Sequence, residues 1–242
     1  MTFRNCGHDT HVGNVRGHNE DCYLVDSEHN FGVLADGMGG HEGGEIASRI
    51  VVDCVSDEIR DGRPMPEALV QAHHAVRRAA ENGQGKPGMG STALALKIDQ
   101  QQFEIVWVGD SRAYLWDGEQ LTQLTKDHSL VQQLVDEGSI TPAEARVHPQ
   151  RNYITQAIGM SDLSTLEVGR VQGGLYRDQQ LLLCSDGLSG EVSPAEIMEI
   201  LGLELDEQQK ADLLIQKSLD NGGTDNVTVL LVSAPDDAPL KK

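Results

Sequence analysis

The hydrophobic positions of this chain follow two rhythms. Short runs with a period of two, rich in β-branched and aliphatic residues, recur at 22–26, 31–35, 91–98, 103–108, 113–116, 181–184 and 227–232. Each predicts a strand. Neighbouring runs are mostly joined by turn-like segments such as DSEHN, DQQQ and WDGEQ, which favours antiparallel pairing over βαβ crossovers. Between the strand groups the apolar spacing becomes helical. Residues 45–60 put Ile46, Ile50, Val51, Cys54 and Val55 on one stripe, and 66–81 open with proline and repeat Ala68, Leu69, Ala72 and Val76. Further helices are expected at 129–137, 193–201 and 207–219. Strand clusters alternating with helix pairs predict a layered α+β fold, sheets inside and helices outside.

Neither an internal repeat nor a linker divides the chain, so a single domain is expected over 1–235, with a short tail at 236–242. Two segments read as mobile. One is the Gly- and Pro-bearing stretch 82–90. The other, 138–152, holds Pro142 and Pro149 and is long for a connection, which makes it a candidate flap.

Charge narrows the partners. Of the 242 residues, 38 are acidic and 19 basic, a formal net charge of −19. Such a chain repels phosphate backbones and anionic lipid, so neither a nucleic-acid nor a membrane partner is expected. Cys6, Cys22, Cys54 and Cys184 form no CxxC pair, as suits a reducing compartment. The opening MTFRNCGHDTHVG lacks an apolar signal stretch, and no window reaches the roughly 18 apolar residues of a membrane span. A soluble, cytoplasmic protein is the expectation.

Five acids sit where a strand should stop and turn: Asp21 in NED, Asp36 in ADGMGGHEGGE, Asp110 in VGDSRAY, Asp186 in LLLCSDGLSG and Asp225 in GGTDNVTVLLV. A lone Asp-Gly is more often hairpin chemistry than a ligand. Asp36, Asp110 and Asp186, however, each follow an apolar strand and precede small residues that permit close approach. Loop ends gathered at one sheet edge would aim these carboxylates at a single point, where hard oxygen ligands hold hard divalent cations.

With these motifs in place, the chain resembles the metal-dependent serine/threonine protein phosphatases of type 2C, especially stand-alone bacterial members. The matching pieces run in family order: RGHNED from Arg16, DGMGGHEGG from Asp36, GSTALAL from Gly90, VGDSRAYLW from Val108, LTKDHSLV from Leu124, ITQAIG from Ile154, LLLCSDGL from Leu181 and DNVTVLLV from Asp225. The resemblance implies a central sandwich of two antiparallel β-sheets flanked by helix pairs, with metals at one end. It implies that Asp36 bridges two metals with the Gly37 carbonyl as an added ligand, and that Asp186 and Asp225 complete one shell. Asp21, beside Glu20, would support the other metal largely through bound water. Asp110 matches the ligand of a third, weaker site, and Arg16 the arginine that grips the substrate phosphate through a bidentate fork.

Such a site is physically coherent. Two like unit charges about 4 Å apart repel by roughly 4 kcal/mol at an effective dielectric of 20, so clustered carboxylates need cations between them. Two divalent ions about 3.5 to 4 Å apart can activate a shared water for in-line attack on phosphorus, with no protein nucleophile. Oxygen ligands suit manganese or magnesium, and the lack of a His/Cys cluster argues against zinc. One departure concerns the general acid. Some members carry a histidine directly after the Asp-Gly pair, where this chain has Met38; His41, three residues on, is the candidate to protonate the leaving alkoxide.

Other signals carry less. Gly83, Gly85 and Gly88 spell GxGxxG, but in a helix-to-strand setting, the reverse of a dinucleotide fingerprint. His8 and His11 fall on opposite faces of a strand and His73–His74 on a polar helix face, so exposure is expected for both pairs. Ser185 and Ser189 form no GxSxG elbow, and Trp107 and Trp116 read as core. The expected function is hydrolysis of phosphoserine and phosphothreonine in proteins, opposing a serine/threonine kinase, by a monomer. A small-molecule phosphomonoesterase and a non-catalytic phosphatase-like binding module are the alternatives.

Overall fold

In the computed structural model, which describes residues 5–40, 42–160, 166–234 and 238–240, the chain opens with β1 (Cys6–His11), β2 (Asp21–Asp26) and β3 (Phe31–Met38). Helices α1 (Glu42–Arg60) and α2 (Met65–Glu81) follow. Next come β4 (Gly90–Ser91), β5 (Ala93–Asp99), β6 (Gln102–Val108), β7 (Arg112–Trp116) and β8 (Leu121–Gln123). Two short helices, α3 (Leu130–Asp136) and α4 (Pro142–Arg146), precede β9 (Gly169–Gly174) and β10 (Gln180–Cys184). The last elements are α5 (Asp186–Ser189), α6 (Pro194–Leu201), α7 (Glu207–Asp220) and β11 (Val227–Ser233).

The strands form two antiparallel sheets, one in the order β1-β11-β10-β7-β8 and one in the order β2-β3-β5-β6-β9, with β4 paired to β3. Side-chain alternation explains the layering. On β10, Leu181 and Leu183 face the other sheet, where they meet Leu94, Leu96 and Ile105. Leu182 and Cys184 face outward and pack with Ile197, Leu201, Leu214 and Ile215 of α6 and α7. On β5 the same rule sends Leu94 and Leu96 inward and Ala93 and Ala95 toward Val51, Val55, Leu69 and Val76 of α1 and α2. Central strands are thus buried on both faces, which is why LLLC and VTVLLV read as continuous apolar runs. Each fully buried leucine contributes about 1.5 to 3 kcal/mol. The α+β sandwich with flanking helix pairs stands as expected.

Several local expectations are corrected. Asp36 does not end its strand: β3 runs on to Met38. The expected strand over 91–98 breaks at Thr92, whose hydroxyl and amide are both spent on the backbone of Asp36. The candidate flap 138–152 is not one of these: it contains α4, nucleated by a capping box in which Thr141 and Glu144 satisfy each other's backbone amides. His73 is not exposed. It is buried, and its Nδ1 accepts the Gly159 amide at 3.1 Å. His8 is half-buried and bonds the Tyr23 hydroxyl through Nδ1, while Trp107 and Trp116 are core residues.

Candidate metal centre

Register brings the acids to one end of the sandwich. Asp21 opens β2 directly opposite Asp36 of β3. The pair Ala93–Val108 places Gly109 and Asp110 beside the Thr92 break. Cys184 pairs with Val229 on one side and Arg112 on the other, so Asp186 leaves β10 beside the start of β11, where Asp225 stands.

Backbone contacts hold each carrier in place. The Asp36 amide donates to Thr92 Oγ1 at 2.9 Å, and the Asp36 carbonyl accepts from Ser91 Oγ at 2.9 Å and from the Thr92 amide at 2.8 Å. Ser111 closes the set through a 2.8 Å hydroxyl contact with Thr92. Asp110 is fixed through its neighbour: the Gly109 amide donates to His128 Nδ1 at 3.2 Å, while the His128 amide donates to the Gly109 carbonyl at 2.9 Å. Gly109 has φ +109°, and a Cβ there would lie 2.6 Å from Thr92 Cγ2. Asn226 ties the first and last segments together, accepting the Glu20 amide and donating to the Val12 and His18 carbonyls.

Electrostatics register how close these acids come. Burial raises the Asp36 carboxyl well above the usual range, helped by Asp21, Asp186, Asp110 and Asp225 in turn. Burial and then Asp186 raise Asp110 well above it too. Asp21 is pushed up to about 7 by burial, against the opposing hydrogen bonds of Thr228 and Ser185. Asp186 is pushed up to about 6 by burial and by Asp225, with a hydrogen bond to Asp36 in opposition.

Five sequence-expected acids therefore meet: Asp21, Asp36, Asp110, Asp186 and Asp225. Glu20 stands beside them: its carboxyl packs over Gly44 in the first turn of α1, where a Cβ would sit 2.7 Å from Glu20 Cδ and 2.9 Å from the Gly37 carbonyl carbon. Gly37 is wedged between strands, its amide donating to the Glu20 carbonyl at 3.1 Å. Arg16 is exposed and bound to Asp225, Nη2 to Oδ2 at 2.7 Å. His41 lies outside the described residues. What the sequence reading misses is the hydroxyls that hold the acids: Ser111, Ser185 and Thr228, each within three positions of an acid, and Ser91 and Thr92, which reach Asp36 from 55 and 56 positions away and carry no such signal.

Divalent cations fit this donor set. Among the described residues, Oδ1 of Asp21, of Asp110 and of Asp186 are buried without a hydrogen-bond partner, a costly state for three acceptors unless a cation faces them. As the side chains stand, no three acidic, imidazole or thiol groups among the described residues form a ready-made ligand cage.

Comparison with known proteins adds names to this geometry. The family model described as protein phosphatase 2C matches residues 16–221. A serine/threonine phosphatase, stp, of Listeria innocua is 36% identical over 236 residues, covering 92% of this chain and 93% of that protein. The serine/threonine protein phosphatase PstP of Mycobacterium tuberculosis is 39% identical over 232 residues, 93% of this chain but 44% of the longer relative. Among solved structures, that phosphatase superposes with a TM-score of 0.84 at 35% identity, covering 98% of both chains. The catalytic domain of PstP in complex with two manganese ions superposes with a TM-score of 0.79 at 35% identity, over 94% of this chain and 96% of that one.

Proposed function

The chain belongs to the protein phosphatase 2C family, and from that membership we infer that it is a metal-dependent hydrolase of phosphoserine and phosphothreonine in proteins. The observation that carries this reading is the meeting of five aspartates from distant stretches, three of them with a buried oxygen that no described group satisfies.

Asp36, the Gly37 carbonyl, Asp186 and Asp225 would hold one ion. Asp36 would share a second with Asp21 and Glu20, and Asp110 would serve a third, weaker site. The manganese-bearing relative supports manganese, and magnesium shares the same preference for oxygen ligands. Bound there, the ions would supply a nucleophile from water at neutral pH and screen the charge that grows on the phosphoryl oxygens.

The chain's own residues do the rest. Arg16, exposed at the rim, would release Asp225 and grip the phosphate of the substrate in a two-pronged hydrogen bond. The alkoxide leaving from serine or threonine needs a proton, and His41 is assigned to give it, since Met38 cannot. The segment 138–152, with α4 inside it, is proposed as the flap over bound protein substrate, in a single phosphatase domain that spans 1–235. The natural substrates are then phosphorylated proteins, among them a serine/threonine kinase and that kinase's targets. One chain carries every residue of the site, so a monomer suffices. All four cysteines are free, in keeping with the cytoplasm, and no described helix is long and apolar enough to cross a membrane.

The test is hydrolysis of a phosphothreonine peptide with manganese. Turnover should vanish on chelation and in Asp36→Asn; activity that survives both refutes the assignment.

A further inference from the structure

Behind Asp21 lies a line of hydrogen bonds whose direction can be read from its far end. Asn19 Nδ2 donates to Thr10 Oγ1 at 2.9 Å, and the Thr10 and Thr228 hydroxyls meet at 2.8 Å. Thr228 Oγ1 then stands 2.6 Å from Asp21 Oδ2. An ionised carboxylate only accepts, so Thr228 must donate to Asp21 and Thr10 must donate to Thr228. A second line arrives alongside. The Thr228 amide donates to Ser185 Oγ at 2.9 Å, which leaves the Ser185 proton for Asp21 Oδ2 at 2.8 Å. Both lines end on the same oxygen.

The other oxygen has none. Oδ1 of Asp21 is buried without a partner among the described residues, and Asp36 is the residue paired with Asp21 across the strands. We propose that Thr10, Thr228 and Ser185 are positioning residues that fix the Asp21 carboxylate through Oδ2 and so dedicate Oδ1 to a divalent ion or the water such an ion holds. The proposal rests on the metal-phosphatase reading above and assigns roles to residues that touch neither phosphate nor Arg16. Ser185 and Thr228 are fully buried; Ser185 directly follows β10 and Thr228 lies on the adjacent β11, tied by the Ser185 amide to the Thr228 carbonyl at 3.1 Å. The donors therefore cannot follow Asp21 if it turns, and the carboxylate is held to one rotamer. Partners of this kind, one bond behind a ligand, change metal affinity by about 10- to 100-fold when removed.

The experiment is calorimetric titration of the full chain with Mn2+. Thr228→Val keeps the shape and deletes the hydroxyl, and one ion should bind about 10- to 100-fold more weakly while the other holds its affinity. Thr228→Ser restores the donor and should bind both ions like the parent. Thr10→Val has no contact with Asp21 to lose, yet should weaken the same ion by a smaller factor, because Thr228 is then free to turn its proton away. Unchanged affinities in Thr228→Val overturn the proposal, as does equal weakening in Thr228→Val and Thr228→Ser, which would assign the effect to packing. Should Thr228→Val fail to fold by circular dichroism, Ser185→Ala carries the same expectation and Thr10→Val the smaller one, and unchanged affinities in both overturn the proposal. Asp36→Asn separates the layers. If it still binds two ions and turns over phosphopeptide, the underlying reading falls; if it loses them while the hydroxyl variants match the parent, only the positioning role falls.

Discussion

Asp21 and Asp36 face each other directly across the β2–β3 pair, the one arrangement of like charges that an antiparallel ladder penalises most. The fold accepts it at the place where a cation is wanted, which makes the strain conditional on pH and on metal.

With metal removed, stability should fall as the pH rises. Asp21 and Asp186 are raised to about 7 and about 6 from an ordinary 3.8. A carboxyl raised on folding favours the protonated folded state, so its contribution is complete below about pH 4 and is lost as pH rises through 6 and 7. Asp26 and Glu196, lowered to about 2, act in the opposite sense and only in more acid solution. Chelated protein should therefore melt at a lower temperature at pH 8 than at pH 5, and Mn2+ should remove the difference while protons are released. Equal melting points in the two chelated samples would count against the assignment.

Arg16 should matter to phosphate and not to metal. A charge-assisted hydrogen bond is worth about 1.5 to 3 kcal/mol, so Arg16→Ala should lower kcat/KM on a phosphothreonine peptide by about 10- to 100-fold. Its loss frees Asp225 from a 2.7 Å ion pair, so manganese affinity should stay level or rise. Weaker manganese binding in this variant would show that Arg16 supports the metal shell instead.

Gly37 should tolerate no side chain. A Cβ there would lie 2.1 Å from the Gly44 carbonyl oxygen and 2.7 Å from that of Glu20. Gly37→Ala should lose about 1 to 3 kcal/mol in urea denaturation, the usual cost of overpacking. Gly17, one position from Arg16, has nothing within 4 Å of its Cβ position, so Gly17→Ala should stay within about 0.5 kcal/mol. Similar losses in both would point to loop entropy, not crowding.

Arg112 forks onto Asp127, with Nη2 to Oδ2 at 2.7 Å and Nε to both oxygens at 3.0 Å. Asp127→Asn leaves the guanidinium without its charge partner. The cost should be about 2 to 3 kcal/mol, below the roughly 3 to 5 of a fully buried pair because the Arg112 side chain stays 25% exposed. Arg112→Met in the same chain should recover part of the loss, and urea denaturation of both variants checks it.

Strands with a buried face are legible in the sequence because burial imposes period two, and the acids are legible because they follow those strands. What escapes is structure set by a neighbour. Strand β9 reads GRVQGG and has little hydrophobic signal, yet Gly169 and Gly173 are there because Trp107 and Phe103 of β6 lie across them, 2.2 Å and 2.6 Å from where a Cβ would be. His73 looks like a solvent-facing helix residue until the Gly159 amide arrives from 86 positions away needing an acceptor. Glu20 is indistinguishable from Asp21 in sequence, and nothing there tells that the bare Gly44 is what makes room for its carboxyl. The Thr92 break is equally silent, since a threonine in an apolar run is ordinary strand chemistry.

Strand β1 lies against β11 along its whole length, and the hydroxyls of Thr10 and Thr228 that meet there are 218 positions apart. A ribosome must therefore have made β11 before the acids can be gathered. Until the last strand slots in beside the first, a growing chain has no means of stripping phosphate from its surroundings.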